Sequence, residues 1–221
     1  MVMKKVIRFV LVAALCLCGF AGCGQEEQKE TEPQIIKTFE LKDEKITAEN
    51  VSPYSGRYLE TDDLEKVTGV YAMQFTNTGD KTIQSAQLVF SDGTQELSFW
   101  LEMLPAGQTV LVAEQTQAIA AVEQLQYVDG TVTYLEGVRE DNQCVQVTDN
   151  KNGTVQVTNV TKEALPLVRV FYRCADENGV PMGGPCKSLL IDGIDAGASL
   201  AVEAEGWEQT SVVVTVLVIN E

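Results

Sequence analysis

The sequence predicts an all-β protein, two tandem antiparallel β-sandwiches carried behind an export signal and a flexible tether. Three observations predict this. From about Ile35 onward the apolar residues recur with a period of two, the signature of half-buried strands rather than helices. Clusters of Gly, Asn and Asp interrupt the alternation at short intervals, as hairpin connections require. One order of strand, asparagine, strand, turn, strand and glycine turn occurs twice. The 221 residues are 45% hydrophobic and 22% charged, a globular balance that excludes wholesale disorder.

Residues 1–22 read as an export signal. Lys4, Lys5 and Arg8 precede an apolar stretch, Phe9 to Ala21, that is short for a membrane span. Phe20-Ala21-Gly22-Cys23 follows and resembles the bacterial lipobox, with Phe20 standing where leucine is more usual. The resemblance implies that Cys23 becomes the lipid-bearing N-terminus, anchoring the chain on the outer side of a bacterial cell membrane. An ordinary secretory signal and an uncleaved anchor are the alternatives. Removal of residues 1–22 takes away three basic residues and no acidic one, leaving 13 against 32 and a formal charge of −19. Residues 23–34 form the lipidated cysteine and an acidic tether, whose ten residues from Gly24 to Pro33 reach about 17 Å as a coil.

The first sandwich is expected over residues 35–137. Tyr71, Met73 and Phe75 face its core, as do Leu97 and Phe99. Asn77 closes an early strand, Ile83 to Phe90 forms the next, and Ser91-Asp92-Gly93 turns into the strand that ends at Leu104-Pro-Ala-Gly107. Gln115 to Gln126 has helix-forming composition for a turn or two, and Asp129-Gly130 reads as another turn. The polar run from Glu136 to Asn142 is the expected join.

The second sandwich, residues 138–221, repeats that order. Val155 and Val157 lead to Asn159, Val168, Val170 and Tyr172 form the next inward face, Val212 and Val214 of the last strand complete that core, and Ile194-Asp-Ala-Gly197 matches the earlier glycine turn. From asparagine to glycine there are 30 residues in the first copy and 38 in the second. The eight extra residues fall in the hairpin Ala175 to Pro185. The last strand, Ser211 to Ile219, is apolar on both parities, so its second face is expected to pack beneath a loop or at the interface between the copies.

Val170-Phe171-Tyr172 and Asp176-Glu177-Asn178-Gly179 in the second copy, with Phe90-Ser91-Asp92-Gly93 in the first, resemble the FxLYD-type, immunoglobulin-like domains of bacterial surface lipoproteins. The resemblance covers about 60 residues per copy. It implies an immunoglobulin-like fold and an envelope location, and it brings no catalytic residue.

Composition narrows the chemistry. The chain has no histidine, which removes Ser-His-Asp and Cys-His catalysis and imidazole zinc sites together. Its formal charge of −16 excludes a basic face for nucleic acid. No phosphate loop, GxSxG or GxGxxG is present, so no cofactor is expected. Cys174 and Cys186 flank the hairpin and are candidates for a disulfide, with buried free thiols as the alternative; the alternation places Cys144 towards solvent. Asp62-Asp63-x-Glu65 and Asp149 to Gly153 carry carboxylates but read as solvated turns rather than calcium loops. Trp100 on the polar parity of its strand and Trp207 after Gly206 are possible ligand contacts; the alternative is that each caps its own core.

These observations point to a non-enzymatic, membrane-anchored envelope lipoprotein that binds an envelope protein or a glycan. A spacer without a ligand is the second reading, and a small carboxylate hydrolase the third. An exposed, partly apolar groove between the copies would favour binding over spacing.

Overall fold

A computed structural model describes residues 37–59, 66–118, 122–176 and 178–219, and of residues 115–118 only the backbone. The expected signal peptide, Cys23 and the tether lie outside the described residues, as do Asp62, Asp63 and Glu65. The described chain is all-β, arranged in four antiparallel sheets, with one 3-10 turn at Val122–Gln124 and no α-helix. The first seven strands are β1 (Phe39–Leu41), β2 (Ile46–Arg57), β3 (Lys66–Asn77), β4 (Ile83–Ser91), β5 (Glu96–Leu104), β6 (Thr109–Ala118) and β7 (Gln126–Tyr134). The rest are β8 (Arg139–Glu140), β9 (Val145–Asp149), β10 (Thr154–Asn159), β11 (Leu165–Arg173), β12 (Lys187–Ile194), β13 (Ser199–Glu203) and β14 (Val212–Ile219).

Sheets β1-β2-β3-β6 and β5-β4-β7 enclose one apolar cluster, and sheets β13-β10-β9 and β12-β11-β14-β8 enclose another. Apart from β1 and β8, the strand orders correspond one to one: β2-β3-β6 matches β9-β10-β13, and β5-β4-β7 matches β12-β11-β14. Alternation builds these cores. Leu97, Phe99 and Leu101 of β5 are fully buried while Trp100 between them is 44% exposed. Phe75, Phe90 and Phe99 pack with centroids 5.3 to 6.3 Å apart in tilted and edge-on pairs, the arrangement that ring quadrupoles favour.

Two asparagines, each fully buried, organise the halves in the same way. The Asn77 amide nitrogen donates to the carbonyls of Lys81 (2.9 Å) and Leu104 (2.8 Å), while its side-chain oxygen accepts the Gly79 N–H. Its backbone N–H donates to Gln108, and its carbonyl accepts the Gly107 N–H. The Asn159 amide nitrogen donates to the carbonyls of Glu163 (2.8 Å), Ile194 (3.0 Å) and Asp195 (3.2 Å), while Thr161 N–H donates to its oxygen. Asn159 N–H donates to Ala198, and the Gly197 N–H donates to Asn159. Gly107 and Gly197 both hold positive φ, 72° and 71°, where a side chain is strained.

Three local expectations are corrected. Asp129-Gly130 is no turn; it lies within β7, opposite Val89 and Leu88. Glycine is needed there because a Cβ would stand 2.4 Å from the Tyr127 hydroxyl oxygen and 2.9 Å from a Leu88 methyl. Cys144 faces the second core, at 1% exposure, rather than solvent. Strand alternation does not reach it, because β9 begins only at Val145 and Cys144 sits in the preceding bend, donating to Asp141 and accepting from Val160. In the Gln115 to Gln126 stretch β6 runs to Ala118, and Val122–Gln124 forms one 3-10 turn, within the turn or two expected there. Val212 and Val214, expected in the second core, lie outside its cluster, and the second face of β14 is covered only in its later half: Val213 is exposed, whereas Thr215 and Leu217 are buried, and Thr215 bonds Glu140 and Asn142 of the joining segment.

The asparagine network predicts an order of variants. Asn159→Ala strips buried carbonyls of their donor and should cost at least about 2 kcal/mol in urea unfolding. Asn159→Asp is expected to cost more, because a carboxylate would then face carbonyl oxygens. An aspartate variant as stable as wild type would remove the amide donors from their assigned role.

Candidate functional site

The extra residues of the second copy decide how the two halves meet. After β11 the chain turns at Asp176, whose carboxylate accepts the N–H groups of Asn178 and Val180. It then runs over the first half before entering β12. Leu111 N–H of β6 donates to the Pro181 carbonyl, and Gly183 N–H donates to the Leu111 carbonyl, both at 2.9 Å. Leu111 and Met182 thereby form a parallel bridge. Beyond it, Glu102 N–H of β5 donates to Gly184, and the Glu102 carboxylate accepts the Cys186 N–H.

Arg173 holds this segment from beneath and is 3% exposed. One guanidinium nitrogen donates to the carbonyls of Gly183, Gly184 and Pro185, and the other to the Glu102 carbonyl of the first half. A planar fork with five donors suits such a carbonyl cage, which a lysine ammonium cannot reproduce. Two further contacts join the halves. Thr82 donates to the Glu140 carboxylate at 2.6 Å, and Arg57 pairs with Glu208 at 2.5 Å. The Arg57 pair is partly solvated, so it contributes roughly 1 kcal/mol or less.

Beside the crossing segment lies a cavity of about 180 Å³. Leu104 and Val110 of the first half and Pro181 with Val212–Val214 of the second give it an apolar lining; Gln108, Thr109 and Arg173 are its polar members. With its guanidinium nitrogens donating to carbonyls, Arg173 serves as wall rather than as an anion hook. The cavity is thus partly apolar and lined from both halves.

Neither tryptophan lines it. Trp100 projects from the outer face of β5, in a row with Gln87 and Thr131. The Trp207 ring lies tilted against Tyr172, with centroids 4.9 Å apart, and packs against the second core. One side of it borders a separate open cavity of about 360 Å³ with Asp149 and Lys151. Cys174 and Cys186 are free thiols rather than a facing pair. Every β11–β12 pair from Leu165↔Ile194 to Tyr172↔Lys187 keeps one register, whose continuation sets Cys186 opposite Arg173 and one place out of step with Cys174. Burial pushes the Cys186 thiol up to about 11 and raises Cys174 and Cys144 as well, so all three are poor nucleophiles at neutral pH.

The most perturbed carboxylate is structural. Asp92 is buried at the β4–β5 turn, where Thr94 donates to it through both hydroxyl and N–H, with further donation from Gln95 N–H and the Tyr71 hydroxyl. These bonds, Thr94 foremost, hold its carboxyl down at about 2. The chain matches no protein-family model, and no curated protein sequence or solved structure matches it.

Arg173 and Glu102 were not singled out from the sequence, and the hairpin Ala175 to Pro185 was singled out only for its length. Their signal was there: a second copy eight residues too long, with arginine at the position 14 residues after its asparagine, where the first copy has Ser91.

Two outcomes are expected. Arg173→Ala should lower stability by at least about 2 kcal/mol and split one unfolding transition into two, because the coupling carbonyls lose their donor. A single unshifted transition would exclude the coupling role. Since the folded Asp92 carboxyl lies below the unfolded value of roughly 3.9, its stabilisation is complete above about pH 4 and disappears as pH falls towards about 2. Urea midpoints should therefore drop across that window, and the drop should shrink in Asp92→Asn.

Proposed function

We propose that this protein is a membrane-anchored extracytoplasmic lipoprotein, held by lipid on Cys23, that acts as a non-enzymatic binding module of the cell envelope through two tandem immunoglobulin-like repeats. The matched strand orders and the matched asparagine networks support the repeat. The observation that carries the binding reading is the cleft. A spacer has no need of a partly apolar cavity lined from both halves beside a buried arginine, whereas concave sites with apolar walls and a few placed polar groups are the usual form of recognition sites. The hydrolase reading requires two carboxylates about 5–9 Å apart in a cleft; none lines this cavity, whereas Asp149 and Glu208 both line the separate one beside Trp207.

Anchoring is tested first. Cys23→Ala should abolish palmitate incorporation and leave the chain unprocessed or released; normal labelling of that variant would end the lipoprotein reading. Binding is tested by crosslinking the intact lipoprotein in its own membrane and capturing it. Recovery of one constant partner separates binding from spacing, and its absence favours the spacer.

A further inference from the structure

The cleft contains an incomplete sheet edge. β11 pairs with one side of β14 along its length, but β8 pairs on the other side only with Leu217 and Val218. Asn142 and Asp141 extend that cover to Val216 by bonding its N–H and carbonyl. Further upstream, no described strand flanks Val212–Val214 on that side. The same three residues line the cavity.

The adjoining β6 edge already accepts extended backbone. Pro181, which lines the cavity, belongs to the segment that adds to the β6 edge through both hydrogen-bonding groups of Leu111. An open strand edge beside an apolar pocket is the geometry of strand addition, in which main-chain bonds give affinity and the pocket selects a side chain.

On the reading of the chain as a binding module, we propose that the cleft binds an extended peptide segment of a partner protein. The segment continues the sheet along Val212–Val214 and places one aliphatic side chain in the cavity. A cavity of about 150 Å³ is known to hold benzene, so one of about 180 Å³ takes a leucyl or isoleucyl group. The formal charge of −16 favours a segment with lysine or arginine on either side of that residue.

The test uses the full exported chain in detergent and two labelled probes. One is acetyl-Lys-Thr-Leu-Thr-Lys-amide; the other carries aspartate in place of leucine. Fluorescence anisotropy should show saturable binding of the leucine peptide and at least about tenfold weaker binding of the aspartate peptide, whose side chain gives up the apolar contact with Leu104, Val110, Pro181 and Val212–Val214. Hydrogen exchange at Val212–Val214 should slow only with the leucine peptide. Gln108 is exposed at the cavity rim, so Gln108→Trp should block binding while leaving the melting temperature unchanged. Val213→Lys, at a second exposed position, should weaken it as well. Equal affinity for both peptides, undiminished binding to both variants, or unchanged exchange at Val212–Val214 would overturn the proposal. If neither peptide binds but crosslinking still recovers a constant partner, the peptide site falls and the binding-module reading stands.

Discussion

The fold rests on one kind of contact used twice, a buried asparagine that stitches a strand end to its own turn and to a distant glycine loop. A sandwich can slide its two sheets over a purely apolar core at little cost, because hydrophobic attraction has no direction. Asn77 and Asn159 remove that freedom. Each donates to a carbonyl four residues ahead and to another about 30 residues on, and each exchanges backbone bonds with the loop that leads into β6 or β13. Because these amides are fully buried, any register that breaks the bonds leaves unpaired polar groups in the interior. The cross-strand packing of Phe75, Phe90 and Phe99, and of Val155, Val168 and Val170, is fixed in the register that the asparagines set.

The two halves share this frame and differ where they serve each other. Phe90 and Tyr172 occupy equivalent core positions, and Trp100 and Leu190 equivalent exposed ones, seven residues before their glycines. The next position after Phe90 is Ser91 and after Tyr172 is Arg173. That exchange, with the longer connection that follows, converts a plain hairpin into a segment that crosses to β6. It covers part of the first half's sheet edge, a protection that exposed edges generally need. The cleft is a consequence of the crossing: β8 is too short to reach Val212, and Pro181 and Val110 wall the space that remains.

Much of this was legible in residue order. Alternation placed Tyr71, Met73, Phe75, Leu97 and Phe99 in one core and Val155, Val157, Val168 and Val170 in another, because side chains of a half-buried strand must alternate between water and interior. The paired asparagines and glycines were visible as a repeat. Local chemistry failed where a neighbour outvoted it. Asp129-Gly130 has turn composition, yet the Tyr127 ring and Leu88 claim the space a Cβ would need, so the glycine serves the strand. Cys144 lies outside its strand, so the alternation that placed it towards solvent does not govern it.

The sequence by itself therefore determined the strand content, most of the inward faces and the paired asparagine and glycine positions, since each depends on near neighbours and on a period of two. The meeting of the halves was decided only in three dimensions. Arg173 reads as a solvated position by parity, and its burial depends on Glu102, 71 residues away, supplying a carbonyl, and on Gly183 to Pro185 folding over it. The cavity likewise has no local signature, because its walls come from β5, β6, β14 and the crossing segment, which are separated along the chain and joined only by hydrogen bonds between the two halves. Short-range periodicity carries no information about which edge a distant segment will cover.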